Sequence, residues 1–168
     1  MIRPIQAAAL VSWFLLPSVA HAQPADLKEA AHRYGAAWAS RDPERIAALH
    51  TPDTEFRLFV SGVPTAEGRD AVEAAFGSLL ASNPTYASTV DRMRFGRDFV
   101  VIEYRIRMDP ETTVRLGRHA FAPTGASYEV DAVDLIEFRD GLVSLKHTFL
   151  DVEAMRDASP KVTEVARR

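Results

Sequence analysis

Apolar residues recur at helical spacing in the first half of the chain and then switch to alternation. Leu27, Ala30, Ala31, Tyr34, Ala37 and Trp38 share one face of a helix expected over residues 26–40, opened by the capping-box spacing of Asp26 and Glu29. Asp42-Pro43 caps a short second helix carrying Ile46, Ala47 and Leu49, which Thr51-Pro52 ends. A strand is expected over 54–60. A third helix opens at Asp70, places Val72, Ala75, Phe76, Leu79 and Leu80 on one side, and closes at Asn83-Pro84. Strands are then expected over 86–95, 99–108, 113–121, 128–138 and 142–151, divided by Gly, Pro and Asp. Helices gathered ahead of such a meander predict an α+β fold, a cone-shaped, curved, mostly antiparallel sheet wrapped around three N-terminal helices.

Residues 1–22 depart from this pattern. Arg3, an apolar run over 5–16, Pro17 and the small-residue end Ala20-His21-Ala22 have the form of a secretory signal peptide. The run is about 12 residues, short of the roughly 20 that a membrane span needs, and no cysteine follows it to take a lipid. The expected division is a signal peptide over 1–22, an α+β cone domain over 23–152 and a helix or tail over 153–168. The mature domain is then periplasmic or secreted after cleavage near Ala22, with no membrane partner.

The 168 residues are 47% apolar and contain no cysteine, which fits one globular domain without disulfides or thiolate chemistry. With 20 basic and 23 acidic side chains the formal charge is -3, which gives nucleic acid no electrostatic footing. Arg92, Arg94, Arg97, Arg105 and Arg107 read as a solvated sheet face. His32, His50, His119 and His147 lack the short spacing of a metal site. No phosphate-cradling glycine loop or nucleophile elbow occurs, so neither metal nor cofactor is expected.

Two polar residues interrupt the apolar faces of the last hairpin. Asp134 lies in the register Val130, Ala132, Asp134, Ile136, Phe138. His147 lies in the register Val143, Leu145, His147, Phe149. Asp140-Gly141 predicts a two-residue turn with positive φ at both positions. Counting back from it sets Phe138 opposite Val143, Ile136 opposite Leu145 and Asp134 opposite His147, and such opposed Cβ atoms lie about 4.5 to 5.5 Å apart. A carboxylate and an imidazole on an apolar face need a partner, a water or a ligand. They form either a mutually satisfied buried pair or the polar part of a cavity.

The order of helix, short helix, strand, helix and meander, with Val133-Asp134-Leu135-Ile136-Glu137-Phe138 ahead of Asp140-Gly141 and the loop Ala122-Pro123-Thr124-Gly125, resembles the nuclear transport factor 2-like superfamily. Its SnoaL-like and ketosteroid-isomerase-like branches are the most similar. The resemblance covers residues 26–151 and implies a cone around an apolar small-molecule pocket, with a homodimer as the expected assembly. It places Tyr34 at the oxyanion-hole tyrosine of ketosteroid isomerases and Asp134 at the partner acid. The position of that family's proton-carrying carboxylate is Leu58 here, so His147 is read as the substitute base, Asp134 as its orienter and Tyr34 as the donor to developing oxygen charge. Trp38, Leu58, Tyr104, Met108, Leu145 and Phe149 are expected to line the pocket. The implied function is an exported, cofactor-free, isomerase-, cyclase- or lyase-type enzyme using acid–base chemistry on a small apolar or aromatic oxygenated substrate. The competing class is a non-catalytic periplasmic ligand-binding or dimerisation domain of the same fold. An epoxide hydrolase would want an arginine between two carboxylates, and Ala132 and Ile136 flank Asp134 instead.

Overall fold

The computed structural model describes residues 24–159 and 163–164; the expected leader lies outside them. Helix α1 (Pro24–Ser40) buries Leu27, Ala30, Ala31, Tyr34 and Ala37, the stripe its spacing predicts. In α2 (Pro43–Ala47) the Asp42 carboxylate accepts from the backbone N–H of Glu44 at 3.1 Å and of Arg45 at 3.3 Å, and Pro43 fills the first turn, where no N–H is needed. Helix α3 (Arg69–Ser82) turns Val72, Phe76 and Leu80 inward at every fourth residue. Each such buried side chain contributes roughly 1.5 to 3 kcal/mol of transfer free energy.

Against these helices lies a six-stranded sheet. Its strands are β1 (His50–Leu58), β2 (Ala66–Glu67), β3 (Ala87–Phe95), β4 (Phe99–Met108), β7 (Tyr128–Arg139) and β8 (Leu142–Leu150), ordered β2-β1-β8-β7-β4-β3. Every neighbouring pair is antiparallel except β1 and β8. Alternate residues of β4, namely Val100, Ile102, Tyr104, Ile106 and Met108, face the helices. The edge strand β3 is almost wholly exposed, and ion pairs from Asp91 to Arg105 and from Arg94 to Glu103 cover this rim with charge, which discourages edge-to-edge pairing. The α+β class and the curved, mostly antiparallel sheet match the sequence expectation.

Residues 113–121, expected as one strand of the meander, depart from it. They fold as a small hairpin of β5 (Val114–Leu116) and β6 (His119–Phe121), which joins β9 (Thr163–Glu164) in a separate three-stranded sheet, while β4 pairs directly with β7. Gly117 makes this excursion, with φ of 56° in the left-handed region. A Cβ there would stand 2.3 Å from the Ser61 carbonyl oxygen, which itself accepts from Arg118 N–H at 3.0 Å. The short helix expected after residue 151 is α4 (Val152–Ala158), capped by Asp151 accepting from Ala154 N–H at 3.0 Å. No described helix is long and apolar enough to cross a membrane.

Candidate functional site

The final hairpin begins as its sequence requires: Asp140 and Gly141 have φ of 54° and 76°, and Phe138 faces Val143. The ladder then slips by one residue at a bulge, so that Glu137 faces Leu145, Leu135 faces His147 and Asp134 faces Thr148. A one-residue slip exchanges the two faces of a strand. Lys146 and Thr148 therefore turn toward the helices beside Asp134, while Leu145, His147 and Phe149 turn away.

This corrects the expected pairing of Asp134 with His147: the two side chains lie on opposite faces of the sheet. His147 Nε2 instead meets Glu55 Oε1 at 3.1 Å, on the face where Phe59 stacks on Phe149 with ring centres 4.3 Å apart. Leu145 and Phe149 correspondingly do not line the cavity, and Phe149 is 44% exposed.

Between the sheet and α1 is a cavity of about 800 Å³ with mostly apolar walls. Tyr34, Trp38, Leu58, Tyr104, Met108 and Asp134 all line it. Lys146, Thr148 and Tyr86 join them. Leu58 and Phe56 reach it because the parallel register of β1 on β8 sets them opposite Thr148 and Lys146.

Asp134 and Lys146 form a buried ion pair at the cavity wall, with the lysine only 3% exposed. The carboxylate's Oδ2 accepts from Lys146 Nζ. Its Oδ1 accepts from Thr148 Oγ1 at 2.6 Å and from Tyr104 Oη at 3.1 Å. Asp134 thus has the multiple donors that a charge needs when removed from water. Lys146 is less well supplied. Beyond Asp134 its ammonium meets the faces of Trp38 and Tyr34, with Nζ 5.5 Å and 6.0 Å from the ring centres. Burial pulls its pKa below the usual lysine value, with Asp134 acting in the opposite direction. The Tyr34, Tyr86 and Tyr104 phenols are all pushed up, chiefly by burial, and remain protonated donors.

Behind Tyr34 lies His50, fully buried at the start of β1. Its Nε2 is 3.0 Å from Tyr34 Oη and its Nδ1 is 2.9 Å from Thr54 Oγ1. Burial, then the positive charges of Lys146 and Arg69, lower its pKa to about 3, so the ring is neutral. A neutral imidazole has one N–H, so one of the two hydroxyls donates to it and the other accepts from it.

Sequence reasoning missed Lys146 and His50. By simple alternation Lys146 falls on the face opposite His147, and only the bulge brings it inside. Histidine spacing tests His50 only as a metal ligand, although its place at the start of a strand, four residues before Thr54, is where a buried hydrogen-bonded histidine fits. Among the described residues no group of three or more metal-ligating side chains comes together.

The arrangement can bind an apolar molecule, direct N–H and O–H groups at an oxygen on it, and exchange a proton through Asp134. The SnoaL-like domain family matches residues 31–145. Solved structures with the same fold include one described as a SnoaL-like polyketide cyclase from Jannaschia sp. CCS1, at TM-score 0.69 and 21% identity over 82% of this chain and 94% of that one. A hypothetical protein with a ketosteroid isomerase-like fold from Catenulispora acidiphila, in complex with trimethylamine, gives 0.65 and 15% over 79% and 92%. An LEH-like epoxide hydrolase from M. tuberculosis gives 0.62 and 12% over 82% and 92%. No curated protein matches the chain. At these identities the likeness carries the fold alone.

Proposed function

Taking as premise that this chain belongs to the SnoaL-like domain family, we propose that it is an acid–base enzyme of the isomerase, cyclase or lyase type, acting on a small apolar or aromatic oxygenated molecule held in the cavity. The observation that carries this reading is the Asp134–Lys146 pair in the wall of an otherwise apolar chamber. Asp134 moves a proton at a carbon beside an oxygenated carbon. Lys146 supports the charge that develops on oxygen. Tyr34 adds a second donor when His50 Nε2–H donates to its oxygen, leaving the phenol proton for the ligand. His147, on the outer face, has no part in this reading. Reading residues 1–22 as an export leader supports placing the chemistry in a periplasmic or secreted domain. The exposed stack of Phe59 on Phe149 supports a second copy of the chain covering the outer sheet face.

The test needs no knowledge of the natural product. Aryl ketones such as 2-tetralone, incubated with the protein in deuterium oxide, are expected to take up deuterium at the carbon beside the carbonyl faster than in buffer. Asp134→Asn is expected to slow that exchange on the order of 100- to 10,000-fold. Ketones that quench Trp38 fluorescence yet exchange no faster than in buffer would favour the non-catalytic binding domain instead.

A further inference from the structure

Lys146 has more donor capacity than its surroundings use. Among the described residues its single hydrogen-bond acceptor is Asp134, and its other neighbours are the ring faces of Trp38 and Tyr34 in the cavity wall. We propose that Lys146 is a carbonyl-capturing amine, forming an imine with an apolar aldehyde or ketone seated in the cavity. The proposal rests on the reading above for the class of ligand and names its reactive group.

The neighbouring groups allow each step to balance. The ammonium passes a proton to Asp134 Oδ2, its direct partner, and becomes a free amine. Its nitrogen lone pair forms a bond to the carbonyl carbon as the carbonyl π pair moves to oxygen. Proton transfer from nitrogen to that oxygen gives the carbinolamine. Asp134 then returns its proton to the hydroxyl, which leaves as water as the carbon–nitrogen double bond forms. One carbonyl compound and one ammonium become one iminium ion and one water, with the restored Asp134 carboxylate beside the new cation. No oxidant, reductant or metal enters.

Three features favour the reaction at this lysine. Burial already biases the nitrogen toward its neutral form. Thr148 and Tyr104 hold Asp134 by its other oxygen, leaving Oδ2 for the proton exchange. The mostly apolar walls can seat an apolar carbonyl compound beside the nitrogen. Lys28, by contrast, stands exposed on α1.

The test is capture of 2-naphthaldehyde by the full chain in the presence of cyanoborohydride, which delivers hydride to the iminium carbon and fixes the adduct as a secondary amine. Peptide mapping then reads its site among Lys28, Lys146, Lys161 and the amino terminus. The expected result is labelling at Lys146 at least about tenfold faster than at Lys28, because the cavity seats the aldehyde beside the buried nitrogen. Lys146→Arg, which keeps the buried cation, is expected to lose that adduct. The site is mapped on the parent chain, so the test does not depend on the variant folding. Labelling without preference for Lys146, while the aldehyde still quenches Trp38, overturns the imine and leaves the apolar-ligand reading standing. Neither quenching nor labelling at Lys146 overturns both.

Discussion

His50 makes acid stability a measure of the network behind the cavity. The ring is fully buried and neutral, with a pKa of about 3 against 6.5 for the free side chain. Between these values the unfolded chain binds a proton that the folded chain refuses. The depressed value of a base therefore makes stability fall as pH drops from 6.5 toward 3, with no contribution above 6.5. The penalty is RT ln(1 + 10^(6.5 - pH)) until the folded-state pKa is approached, or about 2 kcal/mol at pH 5 and about 3 kcal/mol at pH 4. Domains hold only about 5 to 15 kcal/mol in all, so the loss is readily measured. Urea unfolding of the parent and of His50→Gln, each at about pH 7.5 and about pH 5, isolates it, because the other histidines and the carboxylates are common to both. The glutamine variant is expected to be less stable at neutral pH, since one amide cannot serve both Tyr34 and Thr54 as the ring does, but to lose about 2 kcal/mol less on acidification. Equal acid losses in the two proteins would refute a buried neutral His50.

Lys146→Met leaves the Asp134 carboxylate buried without its cation and is expected to cost about 3 to 5 kcal/mol in urea unfolding, whereas adding Asp134→Asn should recover most of that. A double variant less stable than the single one would contradict the pairing. Gly117→Ala forces a Cβ against the Ser61 carbonyl at a left-handed φ and is expected to destabilise by about 1 to 3 kcal/mol, read as a lower melting temperature. An unchanged melting temperature would count against the close approach of the β5–β6 hairpin to Ser61. Phe149→Glu places a charge on the exposed outer stack and is expected to convert a dimer into a monomer in sedimentation velocity. A parent chain that already sediments as a monomer would remove the second copy from the reading.

The helices were legible because each buries one side, and 3.6-residue spacing records that directly, as Val72, Phe76 and Leu80 illustrate. The turn at Asp140-Gly141 was legible because only a few residue pairs accept positive φ twice. The cavity chemistry was not, since the turn fixes only the first pairs of the ladder. Val-Ser-Leu at the slip contains no glycine or proline to announce a bulge, and the apolar residues Leu145 and Phe149 make the outward face look like the inward one. Which face is buried depends also on β1, a parallel neighbour nearly a hundred residues earlier in the chain, which local alternation cannot register. The excursion of residues 113–121 did leave a trace in Gly117, where the alternation of Thr113, Val114, Arg115 and Leu116 stops.

The bulge also makes the cavity's chemistry a matter of parity. One residue added between Val143 and Lys146, with the slip kept, would roll the rest of the strand over, sending Lys146 and Thr148 to solvent and offering His147 to Asp134. Removing Ser144 would flatten the slip and leave the lysine inside. An ion pair and a carboxylate–imidazole pair are thus separated by a single codon's length, so an insertion, more than a substitution, is the change that would retune what this chamber does.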